Sequence, residues 1–270
     1  MITSSSEDTL RRIQSSLQAA GQVFRRFTPG AIEAQYKAGH HPVTEADRQI
    51  DAVLRQELLR DGEGWLSEET VDDLSRLEKR RVWVVDPLDG TREFCAGIPE
   101  FCTSVAMVEE GRPVAGGIYN PATNETFLGL LGSGVTYNGR PIKPSRRSDL
   151  NGATVLASRS EVERGEWKRF EGAGFKIQPV GSVAYKLALV SAGLADATFT
   201  LVPKHEWDVA AGVALVESNG GFVTTVDHGA LRCNQRDPLL KGLLACGPGL
   251  ADELISRLGL AAIGCQPDQP

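Results

Sequence analysis

Asp86-Pro87-Leu88-Asp89-Gly90-Thr91 follows directly on a continuous apolar run, Val82-Trp83-Val84-Val85. The run is bounded by charge and reads as a buried strand, which puts Asp86 at a strand's carboxyl end. Pro87 and Gly90 then turn the chain, so that two carboxylates converge beside the Leu88 carbonyl. A hard cation such as Mg²⁺ takes several oxygen ligands in near-octahedral geometry, and such a turn supplies three. The amides of Gly90 and Thr91 open a short helix over Thr91 to Cys95, and backbone N–H groups at a helix start suit a phosphate. Taken alone, the hexapeptide reads equally as two surface aspartates capping a turn.

Further acidic residues bear on that choice. Glu68 and Glu69 stand upstream in Trp65-Leu66-Ser67-Glu68-Glu69, where adjacent glutamates are also ordinary on a solvated loop. Asp47 lies in Pro42-Val43-Thr44-Glu45-Ala46-Asp47, and Thr44-x-x-Asp47 fits a capping box. Asp208 follows Trp207 and opens a helix over Val209 to Glu217, where an aspartate is a natural cap. None of these decides the matter by itself.

The elements that must position these residues can be read from spacing. Leu10, Ile13, Leu17, Ala20 and Phe24 recur at helical intervals, and Thr28-Pro29-Gly30 ends that helix. A second helix runs from Glu45 to about Arg60. Thr103 to Val108 and Val114 to Tyr119 form a hairpin across Glu109 to Pro113, and Thr126 to Leu131 is another strand. Gly132 to Arg140 reads as turn-rich, and Gly116-Gly117 inside a strand signals a close backbone approach or a bulge. Lys143 to Asn151, polar and proline-containing, is the candidate boundary between an α+β half (residues 1–148) that carries the metal-binding turn and an α/β half (149–265) that completes the active site. In the second half, strands at Ala153 to Ala157 and Ala197 to Val202 alternate with helices at Val183 to Ala192 and Val209 to Glu217.

Bulk composition narrows the function classes. The chain has 270 residues, 41% hydrophobic and 24% charged, with a formal net charge of −6. That suits a soluble globular protein and argues against a general binder of nucleic-acid polymers, which needs a dense basic surface. An anionic small substrate remains compatible, because bound cations invert the local field. No window reaches membrane-spanning length, and Met1 to Leu10 lacks the pattern of a secretory signal. Cys95, Cys102, Cys233, Cys246 and Cys265 show no paired spacing and read as buried, reduced thiols, so a cytoplasmic protein without disulfides is expected. His40-His41 reads as a loop pair, residues 266–270 as a disordered tail, and Lys79-Arg80-Arg81 and Arg146-Arg147 as solvated faces that could also meet a distal phosphate. No Walker loop or dinucleotide fingerprint is present.

Together, Pro42-Val43-Thr44-Glu45-Ala46-Asp47, Leu66-Ser67-Glu68-Glu69, the Asp86 to Thr91 hexapeptide and Trp207-Asp208-Val209-Ala210-Ala211-Gly212 strongly resemble the inositol monophosphatase superfamily, the lithium-sensitive Mg²⁺ phosphatases. The resemblance spans most of the chain and includes the family's DPxDGT and WDxAAG motifs in order. It implies a layered αβαβα sugar-phosphatase fold with the site between the halves, two or three Mg²⁺ ions, and a homodimer as a common assembly. By position it implies metal ligation by Glu68, Asp86, the Leu88 carbonyl, Asp89 and Asp208. It implies that Asp47 and Glu68 hold a further metal or its water, that Thr91 and Asp47 orient the attacking water, and that the Gly90 and Thr91 amides hold the phosphate.

Within that superfamily the wording is similar to the bacterial 3'(2'),5'-bisphosphate nucleotidases, which convert 3'-phosphoadenosine 5'-phosphate to AMP and phosphate. Inositol monophosphatases carry a ring-binding glutamate seven residues before the second motif's aspartate, and here that place is Leu201. The nucleotidases' Gly-Ser-Ser-x-Lys stretch is one residue longer here, Gly181-Ser182-Val183-Ala184-Tyr185-Lys186. Ser182 and Lys186 are the candidate substrate contacts, with Lys204 or His205 as helpers; Lys186 reads equally as a helix-surface lysine. Ile98-Pro99-Glu100-Phe101 is closer to the general monophosphatases. Inositol 1-phosphate, histidinol phosphate or a sugar bisphosphate are the alternative substrates, and a non-catalytic metal-binding relative is the alternative from another class.

Overall fold

The computed structural model describes residues 4–32, 34–36, 42–227 and 229–259; His40-His41, Cys265 and the tail at 266–270 lie outside them. Helix α1 (Ser4–Phe24) buries Ile13, Leu17, Ala20 and Phe24, the stripe that the spacing predicts. A short pair of strands, β1 (Gln35–Tyr36) and β2 (Pro42–Val43), leads into α2 (Glu45–Leu58). The predicted capping box at Thr44 and Asp47 is present.

Seven strands then form one sheet in sequence order: β3 (Gly64–Ser67), β4 (Arg81–Asp89), β5 (Cys102–Glu109), β6 (Arg112–Asn120), β7 (Glu125–Leu130), β8 (Gly134–Tyr137) and β9 (Arg140–Pro141). Strand β3 runs parallel to β4, and the remaining neighbours are antiparallel. The predicted hairpin is β5–β6. The segment predicted as turns, Gly132 to Arg140, instead contains β8 and the start of β9, closed by Asn138-Gly139 with positive φ at both residues. Two residues of turn chemistry are enough for a hairpin, and the strands around them are short.

The second sheet has the order β11-β10-β12-β16-β14, from β10 (Thr154–Ser158), β11 (Lys176–Val180), β12 (Ala197–Thr200), β14 (Phe222–Thr225) and β16 (Leu243–Cys246). Strand β10 is parallel to β11 and β12, whereas β16 is antiparallel to β12 and β14, so the sheet is mixed rather than regularly alternating. The two-stranded pair β13 (Lys204–His205) and β15 (Leu239–Leu240) stands apart from it. Helices α3 (Thr91–Ala96), α4 (Arg159–Glu163), α5 (Val183–Ser191), α6 (Glu206–Ser218) and α7 (Ala251–Arg257) complete the fold.

Three apolar clusters define the layers. In one, α1 and α2 cover one face of the seven-stranded sheet through Ile13, Ile50, Leu54, Trp83 and Val105. In the second, α5 and α6 lie between the two sheets, with Leu187, Val209, Val213 and Leu215 meeting Val84, Ala106 and Ile118 on one side and Leu156 and Leu243 on the other. In the third, Leu254 and Ile255 of α7 cover the outer face of the second sheet beside Val155 and Phe199. The result is a layered αβαβα arrangement, in which α5 and α6 belong to both sheets' packing. No described helix is long and apolar enough to cross a membrane. Cys102, Cys233 and Cys246 are buried and Cys95 is half-buried, all four as free thiols.

Gly116 and Gly117 point to opposite faces of β6, as successive strand residues must. A Cβ on Gly116 would sit 2.4 Å from the Ala211 carbonyl of α6, and one on Gly117 would sit 2.2 Å from Ile13 Cγ2 of α1. The paired glycines thus let one helix approach on each face, the close approach that the sequence signals.

A buried ion pair ties α1 to the start of β3. Arg12 Nη1 donates to Glu63 Oε1 at 3.0 Å, Trp83 Nε1 donates to Glu63 Oε2 at 2.9 Å, and the Arg12 guanidinium lies over the Trp83 ring at 4.9 Å. Burial pushes Glu63 up, but Arg12 and the Trp83 indole outweigh it and hold the carboxyl below the ordinary 4.5. A depressed carboxylate contributes stability above its unfolded pKa and loses it as pH falls through the folded one. Glu63→Gln is therefore expected to cost about 1.5–3 kcal/mol at neutral pH, the range for hydrogen bonds to charged groups. The gap from wild type should shrink below about pH 4.5 in urea unfolding curves taken across a pH series. A gap unchanged to about pH 3 would show that the charge is not its source.

Candidate metal and phosphate site

Glu68 is the residue after β3, Asp86 stands on β4, and Asp208 lies in the first turn of α6. Each offers an oxygen, and the three oxygens lie within 4.8 Å of one another. Strand β4 does not stop at Asp86. Its pairing with β5 shifts between Asp86 and Asp89, a bulge that turns the Pro87–Leu88 step out of register. Asp86 Oδ1 accepts from Leu88 N–H at 2.9 Å, and Thr103 Oγ donates to the Pro87 carbonyl at 2.8 Å, which fixes the bulge.

Helix α6 begins at Glu206, earlier than the predicted Val209, so Asp208 sits inside the first turn, where its Oδ2 accepts from His205 N–H at 3.0 Å. Asp47 also serves two purposes. Its Oδ2 accepts from the Thr44 N–H at 2.7 Å and the Thr44 hydroxyl at 2.6 Å, while its Oδ1 lies 3.3 Å from Thr91 Oγ. The capping reading and the site reading of Asp47 are thus satisfied by different oxygens. The same Thr91 hydroxyl lies 3.0 Å from the Leu88 carbonyl, and its one proton serves either acceptor.

Asp89 is held from the other half. The Ser182 hydroxyl and the Ala184 N–H at the start of α5 both donate to Asp89 Oδ2 at 2.7 Å, and Ser182 Oγ accepts from Tyr185 N–H at 2.9 Å. Ser182 therefore orients a carboxylate. Lys186 is not a surface lysine: it is 3% exposed, and its ammonium donates to the Ser182 carbonyl at 2.9 Å and the Val180 carbonyl at 3.4 Å. Burial lowers it to about 8, against the pull of Asp89.

The electrostatics of the cluster favour a cation among its carboxylates. Burial, then Glu68, Asp89, Asp208 and Asp47, push Asp86 well above the usual carboxylate range. Burial, Asp89 and Glu68 do the same to Asp208, and burial raises Asp47 to about 6. Like charges so close destabilise one another unless a cation neutralises them. An oxygen-only, carboxylate-rich set suits a hard divalent ion such as Mg²⁺. Cys102, the nearby thiol, is turned to Ser182 Oγ at 3.3 Å.

The acidic floor opens into a cleft of about 480 Å³ that Gly90 and Thr91 also line. Its far wall comes from the end of β10, from α4 and from β13, and carries Ser158, Ser160, Arg164 and Lys204, with His205 beside them and Arg92 on the near side. His205 stacks on Trp207 with ring centroids 4.4 Å apart. Leu201 faces away into the outer apolar cluster and a separate cavity. Neither arginine pair reaches the cleft: Arg80 meets Glu110 at 3.1 Å, Arg81 meets Glu109 at 3.4 Å and Arg147 meets Asp196 at 3.4 Å.

Several supporting residues escaped the sequence reading. Asp51, one turn after Asp47, accepts from Ser67 Oγ at 2.5 Å and Thr70 Oγ1 at 2.8 Å, bracketing Glu68 and Glu69. Glu100 takes Arg159 Nη2 at 2.6 Å and Gly181 N–H at 2.6 Å, joining the loop after α3 to the stretch before Ser182. The i+4 spacing from Asp47 could have pointed to Asp51; nothing local points to Glu100 and Arg159.

Comparison with known proteins places this geometry. A model of the inositol monophosphatase family matches residues 6–259. An inositol-1-monophosphatase of Mesorhizobium japonicum is 32% identical over 263 residues, 93% of this chain and 94% of that one. The solved inositol monophosphatase from Anabaena superposes with a TM-score of 0.78 at 28% identity, covering 95% of this chain and 97% of that one. CysQ from Bacteroides thetaiotaomicron, described as a bacterial member of the same family, superposes with a TM-score of 0.74 at 26% identity, covering 89% and 97%.

Proposed function

Since the chain belongs to the inositol monophosphatase family, we propose that it is a Mg²⁺-dependent phosphate monoesterase whose substrate carries a second phosphate, of the 3'(2'),5'-bisphosphate nucleotide class. The observation that carries the chemistry is the convergence of Glu68, Asp86 and Asp208 oxygens within 4.8 Å at the floor of a cleft. Glu68, Asp86, the Leu88 carbonyl, Asp89 and Asp208 hold the cations, and Asp47 with Glu68 holds a further one. Bound there, Mg²⁺ neutralises the phosphoryl oxygens, favours deprotonation of a water and eases departure of the alkoxide.

The chain's own residues do the positioning. Asp47 accepts the Thr91 proton, which leaves the Thr91 lone pairs to receive a hydrogen bond from the attacking water. The Gly90 and Thr91 amides hold phosphoryl oxygens at the first turn of α3. All proposed ligands come from one chain.

Two features support the second phosphate. The place of a ring-binding carboxylate is taken by Leu201, which lines another cavity. The cleft's far wall carries two cationic side chains, Arg164, which pairs with Glu166 at 2.6 Å, and Lys204, 4.0 Å from Glu161, beside the Ser158 and Ser160 hydroxyls. A second reading, inositol 1-phosphate, is favoured by the name of the Mesorhizobium relative.

Phosphate release from 3'-phosphoadenosine 5'-phosphate, inositol 1-phosphate and histidinol phosphate, with and without Mg²⁺ and with added Li⁺, tests these readings. The bisphosphate is expected to lead in kcat/KM by at least about tenfold, the effect of roughly 1.4 kcal/mol from one added charged contact. Release should require Mg²⁺ and fall with Li⁺. A preference for inositol 1-phosphate would overturn the nucleotide assignment. Absence of Mg²⁺-dependent release from every ester would leave a non-catalytic relative.

A further inference from the structure

We propose that Arg76, Asn234 and Glu206 form a positioning bridge that sets Asp208 against Glu68 and Asp86, so that breaking it weakens Mg²⁺ binding without removing a ligand. The proposal rests on the metal reading above. None of the three residues lines the main cleft.

Arg76 lies in the segment between β3 and β4 and is 1% exposed. It packs on the start of β3, where a Cβ on Gly64 would meet Arg76 Cβ at 3.0 Å. All three nitrogens of its guanidinium are engaged. Nε and Nη2 donate to Asp72 Oδ2 at 3.0 and 2.8 Å, Nη1 to Asn234 Oδ1 at 2.7 Å, and Nη2 also to the Gln235 carbonyl at 2.9 Å. Asn234 Nδ2 returns a bond to the Arg76 carbonyl at 3.2 Å, and Asn234 itself is held at a φ of 60°.

The same loop is gripped from its other side. Glu206, wholly buried, accepts from Asn234 N–H at 2.6 Å and Gln235 N–H at 2.9 Å. Its own N–H donates to the Pro238 carbonyl at 2.8 Å. Glu206 is the first residue of α6 and Asp208 the third. A continuous chain of hydrogen bonds therefore runs from the Arg76 segment, which packs on the start of the strand that leads to Glu68, through a loop more than a hundred residues downstream, to the helix turn that bears Asp208.

Burying a guanidinium and a carboxylate costs several kcal/mol each unless every donor and acceptor is matched, and here the matching is nearly complete. Such an arrangement has the rigidity a metal site needs, because a divalent ion of octahedral habit tolerates little ligand displacement. Residues that orient metal ligands without touching the metal cost about 10- to 100-fold in metal affinity when changed.

Calorimetric titration with Mg²⁺ and Mg²⁺-induced thermal stabilisation, on the full chain and on Arg76→Lys and Glu206→Gln, test this. Both variants keep side-chain size, and Glu206→Gln keeps an acceptor, so it serves if Arg76→Lys does not fold. The expected result is Mg²⁺ affinity lower by about 10- to 100-fold, with a matching rise in the Mg²⁺ needed for half-maximal turnover and a smaller change in KM at saturating Mg²⁺. Folded variants with wild-type Mg²⁺ affinity and lower melting temperatures would reduce the bridge to a structural role and overturn the inference. A wild-type chain that binds no Mg²⁺ would overturn the metal reading beneath it.

Discussion

Asp86→Asn is expected to cut turnover by at least about a thousandfold, roughly 4 kcal/mol of lost transition-state stabilisation, while raising the melting temperature measured in EDTA. The two effects share a cause. Asp86 is buried among Glu68, Asp89, Asp208 and Asp47, and its carboxyl is held well above the usual range by burial and by those neighbours. Without a cation, the folded state disfavours the charged form, so this group's contribution worsens as pH rises. An amide of the same shape removes the charge and keeps the oxygen that accepts Leu88 N–H. At neutral pH in EDTA the variant should melt at least roughly 2 °C higher, the effect of about 1 kcal/mol in a domain of this size. With excess Mg²⁺ the order should reverse, because wild type gains binding energy that the variant lacks. A variant that melts lower in EDTA, or that turns over substrate at the wild-type rate, would remove Asp86 from the metal set.

Gly116→Ala is expected to destabilise the chain by about 1–3 kcal/mol, the usual cost of overpacking. Its Cβ would lie 2.4 Å from the Ala211 carbonyl and 3.1 Å from Ala211 Cα, and backbone of a buried helix has no rotamer to change. Helix α6 has to move off the sheet, and Asp208 moves with it. Half-maximal turnover should then need more Mg²⁺, while the urea midpoint falls with little change in slope. Gly117→Ala meets side chains rather than backbone, Ile13 Cγ2 at 2.2 Å and Leu17 Cδ1 and Leu128 Cδ2 at 2.9 Å, and should cost less because side chains yield more readily than the α6 backbone. Equal losses at the two positions would show that the helix is free to yield.

The carboxylates of the candidate site were legible because each sits beside a local signal. Asp86 and Asp89 follow an apolar run, Asp47 completes a cap, and Asp208 stands at a helix start. The polar scaffold behind them was not. Arg76 and Glu206 stand more than a hundred residues apart with no periodicity to link them, and a buried arginine looks in sequence like any surface one. The burial of Lys186 was hidden for a similar reason: α5 is apolar on nearly all sides, so no exposed face marks where a lysine should point. In the fold, α1, α2, α5, α6 and the β5–β6 hairpin were legible in the sequence, whereas the short helices α4 and α7 were not. Strand β11, with the pattern Lys-Ile-Gln-Pro-Val at a sheet edge, is too exposed to stand out, and β16, a four-residue apolar run, was passed over although all of it is buried.

The position of α6 between the sheets also sets a timetable. During synthesis Glu68 and Asp86 emerge long before Asp208, at a stage when the inner face of the seven-stranded sheet has no cover. The nascent chain therefore presents Val84, Ala106 and Ile118 to solvent until α5 and α6 arrive to occupy that face. A cation that needs Asp208 would have no complete site until then.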